Sequence, residues 1–329
     1  MKDLIKKLVE TTGPSGYETK VRELVRTEIE SYADEIRVDP LGNLIASKGQ
    51  NNGKGKKIMI SAHMDEIGIV VTHVDKNGFA RFTNIGGVYP RNCVGGRVRF
   101  LNGALGVIGH DDPRSTPSSL SDLFIDLGAT NQKDCPVKIG DIAAFDRPFM
   151  DLGNRLVSKA MDDRIGVAVG IETLRQLKST PHEIYFVFSV QEEVGLRGAT
   201  TSAFGVDPDI GIAIDVTASG DTPKGLKMEV GLGKGAAIKV RDGGMLSDPR
   251  VVDWMVKTGE KKNIPYQLEI LEGGTTDARA IQISRAGVPA GCLSIPCRYV
   301  HSPSEMIDYA DVQNGVKLLV AMLGQTIQL

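Results

Sequence analysis

Residues 57–68, KIMISAHMDEIG, predict a short buried strand that ends abruptly in polar residues. The apolar run Ile58-Met59-Ile60 is typical of such a strand. Residues two apart on an extended chain point the same way, so His63 and Asp65 share a face. That face lies where parallel strands present ligands, and an imidazole beside a carboxylate often serves as a metal ligand. Taken alone, the pair is better explained by a surface histidine beside an ordinary acidic turn.

Composition and charge are those of an ordinary globular protein and argue against several kinds of partner. The 329-residue chain is 41% hydrophobic and 24% charged, with a formal net charge of -2. This balance predicts no nucleic-acid or anionic membrane partner, and no apolar run is long enough to span a bilayer. The amphipathic N-terminus does not resemble a signal peptide. The four cysteines lack CxxC spacing, so we expect reduced thiols in a cytoplasmic protein.

The chain before residue 68 and after about residue 155 alternates between helix and strand patterns, which is typical of an α/β domain. Two helices are predicted within residues 1–36, followed by a hairpin over 36–47 and a solvated turn over 51–55. Further strands are predicted at 183–190, 210–214, 266–270 and 289–295, and further helices at 165–177, 249–255 and 309–323. The first 68 residues alone are short of a core, so both parts are expected to form one domain.

Residues 70–149 differ, because short alternating runs lie between Gly, Asn and Pro clusters and helical periodicity almost vanishes. Regularly spaced short strands of this kind predict a small β-barrel or sandwich. The predicted fold class is therefore α/β. A doubly wound mixed sheet with helices on both faces is formed by residues 1–68 and 155–329, and an all-β domain is inserted over 69–154. The residues leave open whether this insertion serves gating, oligomerisation or substrate orientation.

Ionisable side chains recur where predicted strands end or a helix begins. The group comprises His63, Asp65, Asp162, Asp163, Glu192, Glu193, Asp215 and His301. These groups can converge, because the carboxyl ends of parallel strands share one edge of a sheet. Two histidines with several carboxylates suit Zn²⁺, Co²⁺ or Mn²⁺. Each group also has a local explanation: helix capping for Asp162 and Asp163, a solvated turn for the two glutamates, and a loop histidine for His301. These independent explanations would all have to hold at once for the site to be absent.

The number of candidate ligands favours two metal ions. Five ligands, one of them able to bridge, match a dinuclear hydrolytic site with ions about 3.5–4 Å apart. Such a site needs a separate carboxylate to carry a proton from water to the leaving amine. Glu192 and Glu193 are adjacent and their side chains should diverge, so one can bind metal while the other carries the proton. Glu66, next to Asp65, has no assigned role.

The chain resembles the M42 metallo-aminopeptidases over essentially its whole length. The matching residues, in chain order, are His63-x-Asp65, Asp162-Asp163-Arg164, Glu192-Glu193, Asp215, Gly274-Thr275-Thr276-Asp277 and His301-Ser-Pro. The resemblance implies the α/β fold of the co-catalytic zinc exopeptidases. It also implies that the insertion is a dimerisation domain and that dimers assemble into hollow dodecamers.

The same resemblance implies a role for each site residue. One divalent ion would be held by His63 and Asp215, the other by Glu193 and His301, with Asp162 bridging the two. Glu192 would be the general base, and Asp65 would support the ligand His63. Zinc or cobalt is the expected metal.

The leading prediction is removal of N-terminal residues from peptides by metal-activated water. Glu192, Asp215 or Asp277 could supply the counter-charge for the free α-amine. A deacylase or carboxypeptidase is the nearest alternative, since Arg164 or Arg298 could bind a free α-carboxylate. A glucanase needs two carboxylates on opposite sides of one sugar bond, whereas metal would occupy most carboxylates here. A non-catalytic peptide-binding scaffold would have lost metal or base residues, and none is missing.

Overall fold

The computed structural model describes residues 1–50 and 55–327. Its helices are α1 (Lys2–Glu10), α2 (Thr19–Ile29), α3 (Met161–Gln176), α4 (Arg197–Val206), α5 (Pro249–Lys262), α6 (Asp277–Gln282) and α7 (Tyr309–Leu323). Its strands are β1 (Glu35–Val38), β2 (Leu44–Lys48), β3 (Lys57–His63), β4 (Gly68–Val74), β5 (Ala80–Ile85), β6 (Arg97–Phe100), β7 (Leu105–His110), β8 (Leu123–Asp126), β9 (Ile142–Phe145), β10 (Met150–Leu152), β11 (Arg155–Ser158), β12 (Glu183–Ser189), β13 (Ile210–Ala218), β14 (Ala236–Arg241), β15 (Tyr266–Ile270), β16 (Ala290–Arg298) and β17 (Glu305–Asp308). The turn predicted over residues 51–55 lies outside the described residues, apart from Gly55.

The large sheet has a parallel centre and antiparallel margins. It contains eleven of the described strands, and β12, β3, β13 and β16 lie side by side in parallel. On one side β12 pairs antiparallel with β2, and on the other β16 pairs antiparallel with β14 and β17. This mixed sheet confirms the predicted α/β class. Because the central strands run the same way, their carboxyl ends meet at the edge where such sheets bind ligands.

Helices contact both faces of the large sheet, because alternate side chains of each strand point to opposite sides. On β3, Ile58 and Ile60 are buried in the main core together with residues of α1, α2, α3, α5 and α7. Met59 points the other way and packs in a smaller core with Ala203 of α4 and Ile281 of α6. Burial on both faces explains why the central strands are almost continuously apolar.

Between β3 and β10 the chain forms a closed barrel of six described strands, all antiparallel, in the order β4-β5-β8-β7-β6-β9. Its interior is a separate core that includes Ile69, Phe82, Val98, Phe100 and Ile125. The predicted choice was a barrel or a sandwich, and a barrel is observed. The alternation of side chains does not predict β4, because a register shift between Val71 and His73 interrupts it.

Other elements extend beyond what the local pattern predicts. The strand predicted to end before Asp215 continues to Ala218, because β13 keeps pairing with β16 as far as Cys297. Helix α4 was not predicted, since its sequence RGATTSAFGV is rich in Gly and Thr and has no strong apolar stripe. Strand β10 falls within residues 69–154, yet it pairs with β11 in the large sheet.

Candidate metal centre

The predicted site residues converge in a cleft at the carboxyl ends of β3, β12 and β13. The cleft has a volume of about 480 Å³. All five predicted ligands and the predicted base lie in its wall, namely His63, Asp162, Glu193, Asp215 and His301 with Glu192. His63 ends β3, Glu192 and Glu193 follow β12, and Asp215 lies within β13. The topology of the sheet therefore brings together residues that are far apart in the chain.

The carboxylate of Asp162 lies between the two histidines. Its Oδ1 is 3.0 Å from Nε2 of His63, and its Oδ2 is 3.3 Å from Nε2 of His301. The same His301 nitrogen is 3.4 Å from Oε2 of Glu193. One oxygen of a single carboxylate thus faces each histidine, which is the arrangement expected of a bridging ligand.

Asp163 is a second acidic residue at this point, and the sequence prediction gave it no separate role. His63, Asp163 and Asp215 can bring one ligand atom each within 4.8 Å of one another, as can His63, Asp162 and Glu193. Asp163 is also occupied locally, because its Oδ1 accepts a hydrogen bond from the Gly166 N–H at 3.0 Å. Of the two aspartates, Asp163 is therefore the one that caps the helical turns of α3.

Burial of so many carboxylates disfavours their charged forms. Burial raises the pKa of Glu192 and of Asp215 well above the ordinary range, with the neighbouring negative charges adding to the effect. Burial and the charge of Asp162 raise the pKa of Glu193 to about 7. Glu193 Oε1 is buried and has no hydrogen-bond partner among the described residues. A group of this composition is suited to a divalent cation, which would offset the repulsion.

In the two histidines, by contrast, the surroundings favour the charged form. Burial alone would lower the pKa of His63, but its hydrogen bonds with Asp162 and Asp65 raise it well above the usual value. Burial likewise opposes protonation of His301, yet Asp162 and Glu193 raise its pKa to about 10. These shifts arise because each imidazole is enclosed by carboxylates, as is common around metal-binding histidines.

Asp65 connects one histidine to the two glutamates. It is fully buried, and its Oδ1 lies 3.4 Å from Nδ1 of His63. Its carboxylate also accepts hydrogen bonds from the backbone N–H groups of Glu192 and Glu193, at 3.0 and 3.2 Å. The hydroxyl of Ser15 donates to it at 2.5 Å. Asp65 therefore fixes the His63 ring relative to the turn after β12.

Glu305 has a similar linking position that the sequence prediction missed. Its buried carboxylate accepts hydrogen bonds from the backbone N–H groups of Asp162 and His301, at 3.0 and 2.8 Å. His301 has a left-handed backbone, with φ of 59°. The only signal in the sequence is an acidic residue four positions after His301, and that spacing has no chemical meaning without the fold.

Glu66 and Arg164 belong to a buried network that holds the N-terminal loop. Glu66 accepts hydrogen bonds from Lys159 Nζ at 2.7 Å and from the Gly13 N–H at 2.9 Å. The fully buried guanidinium of Arg164 donates to the carbonyls of Leu8, Thr11, Gly13 and Met64. Neither side chain lines the cleft, and the hydrogen bonds of both hold the N-terminal loop against the rest of the domain.

Two other residues considered from the sequence also lie away from the open cleft. Asp277 is 2% exposed and accepts hydrogen bonds from the hydroxyls of Ser61 and Ser189, each at 2.6 Å. It therefore cannot serve as a counter-charge for a substrate amine. Arg298 is bound to Asp221 by two hydrogen bonds of 2.9 and 2.8 Å. The cations that border the cleft are instead Lys239 and Arg279.

Comparison with known proteins identifies clear relatives. The family model described as M42 glutamyl aminopeptidase matches residues 42–318. A relative from Acetivibrio thermocellus that bears an aminopeptidase name is 48% identical over 97% of each chain. The solved structure of aminopeptidase APDkam598 from Desulfurococcus kamchatkensis is 44% identical, with a TM-score of 0.94 over 98% of this chain and 94% of that chain. Pyrococcus horikoshii TET1 peptidase, which can assemble into a tetrahedron or a large octahedral shell, is 33% identical, with a TM-score of 0.87 over 98% and 99%.

Proposed function

The chain belongs to the M42 glutamyl aminopeptidase family and is a peptide hydrolase, and from this membership we propose that it is an aminopeptidase with a dinuclear metal centre. The observation that carries the proposal is the Asp162 carboxylate, one oxygen of which faces His63 and the other His301. The same family membership supports the proposal that the fold is the doubly wound type of the co-catalytic exopeptidases.

The residues present fit two divalent ions such as Zn²⁺ or Co²⁺. The donors are imidazole nitrogens and carboxylate oxygens, which suit these metals. His63 and Asp215 would hold one ion, Glu193 and His301 the other, and Asp162 would bridge them. The buried, unpartnered Oε1 of Glu193 supports this fit, because a buried charged oxygen without a partner is costly.

Bound ions would lower the pKa of water and polarise the scissile carbonyl. Glu192 would act as the general base, and two observations support this role: it lines the cleft, and its Oε2 lies 3.9 Å from Nε2 of His63. Its carboxylate would take a proton as water attacks the carbonyl carbon. It would then return that proton to the leaving amine as the C–N bond breaks. Asp65 would keep Glu192 in position through the Glu192 backbone N–H.

The substrate amine needs an accessible negative charge. Asp277 is excluded by its burial and its two serine partners. The carboxylates of Glu192 and Asp215 remain, because both line the cleft. Each could face an ammonium group at the N-terminus of a bound peptide.

A deacylase or carboxypeptidase remains a second candidate because of Arg279. Arg164 and Arg298, the arginines considered from the sequence, are both committed elsewhere. Arg279 borders the cleft, and its guanidinium makes no hydrogen bond or ion pair with any residue in ranges 1–50 and 55–327. It could bind a substrate carboxylate, either an acidic side chain or a free α-carboxylate.

A substrate panel distinguishes these functions. Chelator-treated enzyme would be assayed with Co²⁺ or Zn²⁺ on aminoacyl p-nitroanilides of Glu, Lys, Leu and Ala, on their Nα-acetylated forms and on Nα-acyl amino acids. We expect hydrolysis of the free-amine substrates alone, and only when metal is restored. Activity on Nα-acyl amino acids alone would establish the deacylase alternative, and activity without any divalent ion would overturn the metal centre.

We also propose the domain division that the sequence predicts and the assembly that the family resemblance implies. Residues 69–154 would be a barrel domain for dimerisation, inserted into a catalytic domain of residues 1–68 and 155–329. Strand β10, at the end of the insertion, pairs with β11 of the large sheet. The P. horikoshii relative can assemble into a tetrahedron or a large octahedral shell, and the solved PhTET1-12s structure is a dodecamer; both support homo-oligomers, including dodecamers. A cytoplasmic location remains a proposal. Every helix within the described ranges is too short or too polar to cross a membrane.

A further inference from the structure

One turn of the barrel reaches the metal centre. It comprises residues 86–92, between β5 and the start of β6, and we call it the barrel turn. Gly87 and Tyr89 of this turn line the cleft beside the predicted ligands. We propose that the barrel turn is a positioning element that holds His301 and Glu193 for the second metal ion; this inference rests on the dinuclear centre proposed above.

The closest approach is at Gly87. A Cβ atom at this position would collide with Nδ1 and Cε1 of the His301 ring. The backbone of Gly87 is outside the left-handed region, so alanine would meet this steric conflict without backbone strain. The glycine thus lets the barrel backbone lie directly against one edge of the imidazole. The other ring nitrogen, Nε2, is bonded to Cε1 and faces Asp162 and Glu193.

Gly86 makes the equivalent approach to the second ligand. A Cβ there would lie 3.0 Å from both Cβ and Oε2 of Glu193 and 3.1 Å from the Ile67 side chain. Gly86 has φ of 75°, a conformation that glycine adopts readily. Two consecutive glycines therefore bring the barrel into contact with both predicted ligands of one ion.

The backbone of His301 is also held from the barrel. The Asn92 side-chain amide donates a hydrogen bond to the His301 carbonyl at 3.2 Å. The ring of Tyr89 lies 6.1 Å from the His301 ring, centroid to centroid. A left-handed histidine is disfavoured unless its surroundings enforce it, and the barrel turn supplies contacts to its ring and to its carbonyl.

The contacts on the first ion's side are different. His63 is at the end of β3, and its ring contacts Asp65 and Asp162, which lie outside the barrel. Displacement of the barrel turn should therefore weaken binding of one ion and leave the other unaffected. Such selectivity separates a positioning role from a general contribution to folding.

Co²⁺ binding by Gly87→Ala measures this selectivity. The full-length apoprotein would be titrated with Co²⁺ by equilibrium dialysis, with the visible absorption of Co²⁺ as a report on coordination. We expect wild type to bind two equivalents, and Gly87→Ala to bind the first normally and the second at least tenfold more weakly. Gly205→Ala is the matched control, because a Cβ at this exposed position in α4 meets no atom within 4 Å.

Asn92→Ala provides a second variant in case Gly87→Ala does not fold, which circular dichroism would reveal. It removes one hydrogen bond at the surface of the site and should weaken the second equivalent to a smaller extent. Two equivalents bound by a folded Gly87→Ala with wild-type affinity would overturn the inference. So would an unfolded Gly87→Ala together with normal Co²⁺ binding by Asn92→Ala. Fewer than two equivalents in wild type would instead overturn the dinuclear centre itself.

Discussion

The His63 half and the His301 half of the candidate metal centre are held by different parts of the molecule. The His63 half, His63 with Asp65, lies at the end of a central strand, and these side chains are 2% and 0% exposed. The His301 half, His301 with Glu193, lies on loops, and the His301 side chain is 25% exposed. Asp162 lies between them. The sheet preorganises one half, whereas the other requires several segments to meet.

The hydrogen bonds follow the same division. Around His63 and Asp65, the partners are Asp163 of α3, the Glu192 N–H in the turn after β12, and Ser15 near the N-terminus. Around His301, the partners are Glu305 of β17 and the barrel turn. A ligand on a partly exposed loop should be more sensitive to substitution at a distance than one at the end of a buried strand.

The largest effect is expected on the kcat of Glu192→Gln. Metal binding by the His63 half and the His301 half should be unchanged in this variant. Loss of a general base lowers kcat by roughly 10²–10⁴-fold. Because Glu192 is proposed as a base and not a ligand, two equivalents of Co²⁺ should still bind. Steady-state kinetics and metal analysis on the same preparation test both statements. Unchanged activity would refute the assigned base, and a lost ion would place Glu192 within one of the halves.

The next effect is expected for Asp65→Asn, which addresses the His63 half. An amide cannot accept at both oxygen positions. The variant therefore loses either the Oδ1 contacts with Glu192 N–H and the His63 ring or the Oδ2 contact with Glu193 N–H. Loss of such a supporting group typically costs about 10–100-fold in metal affinity or activity. Co²⁺ titration should show weakening of the first equivalent, with a smaller change in the second.

Glu66→Gln is the matched control for Asp65→Asn, since it changes the neighbouring buried carboxylate. Glu66 contacts Lys159, Gly13 and Arg164, outside the cleft. The control should therefore lower the thermal unfolding temperature without changing Co²⁺ affinity. Equal losses of affinity in the two variants would show that Asp65 acts only through the stability of this region.

Sequence patterns predicted the His63 half better than the His301 half. An apolar run followed by polar residues is a local signal, and it correctly predicted β3, β12 and the place of His63 and Glu192 in the cleft. Convergence of these strand ends then followed from the general behaviour of parallel sheets. The metal-binding and catalytic roles of these residues remain predictions.

The supports of the His301 half have no comparable local signal. Glu305 acts by accepting two backbone N–H groups, one of them 143 positions away in the chain. Gly87 acts by the absence of a side chain next to a histidine more than 200 residues later. Both depend on tertiary packing, which a single sequence does not encode as a short pattern. The sequence offered Arg164 and Arg298 as cations for a substrate carboxylate, but both are bonded elsewhere and Arg279 borders the cleft instead. Burial and ion pairing decide which cations reach the cleft, and neither is a short sequence pattern.

A smaller effect is expected for Glu305→Gln, which weakens the His301 half. The amide can accept from only one of the Asp162 and His301 N–H groups. Leaving one buried donor without an acceptor costs about 1–3 kcal/mol, so the second Co²⁺ equivalent should bind roughly tenfold more weakly.

Asp311→Asn is the matched control for Glu305→Gln. Asp311 is also fully buried and accepts two backbone N–H groups, from Gly233 and Gly235, each at 2.7 Å. It does not line the cleft. A similar loss of stability without a change in Co²⁺ affinity is expected. If the control weakens the second equivalent as much, Glu305 has no specific link to the His301 half.

The smallest difference is expected in the rate at which wild-type protein loses its two ions to a chelator. Metal exchange depends on access of water and chelator to the ligands. The His301 side chain is 25% exposed, whereas that of His63 is 2% exposed. The ion of the His301 half should therefore leave first, and a Zn²⁺ indicator should record two phases of one equivalent each. Glu305→Gln should accelerate the fast phase alone, and Asp65→Asn should bring the slow phase closer to it. The contrary outcome is a single phase that both variants accelerate equally. It would mean that the two halves release their ions together, coupled through Asp162, and that their different supports do not affect the rate.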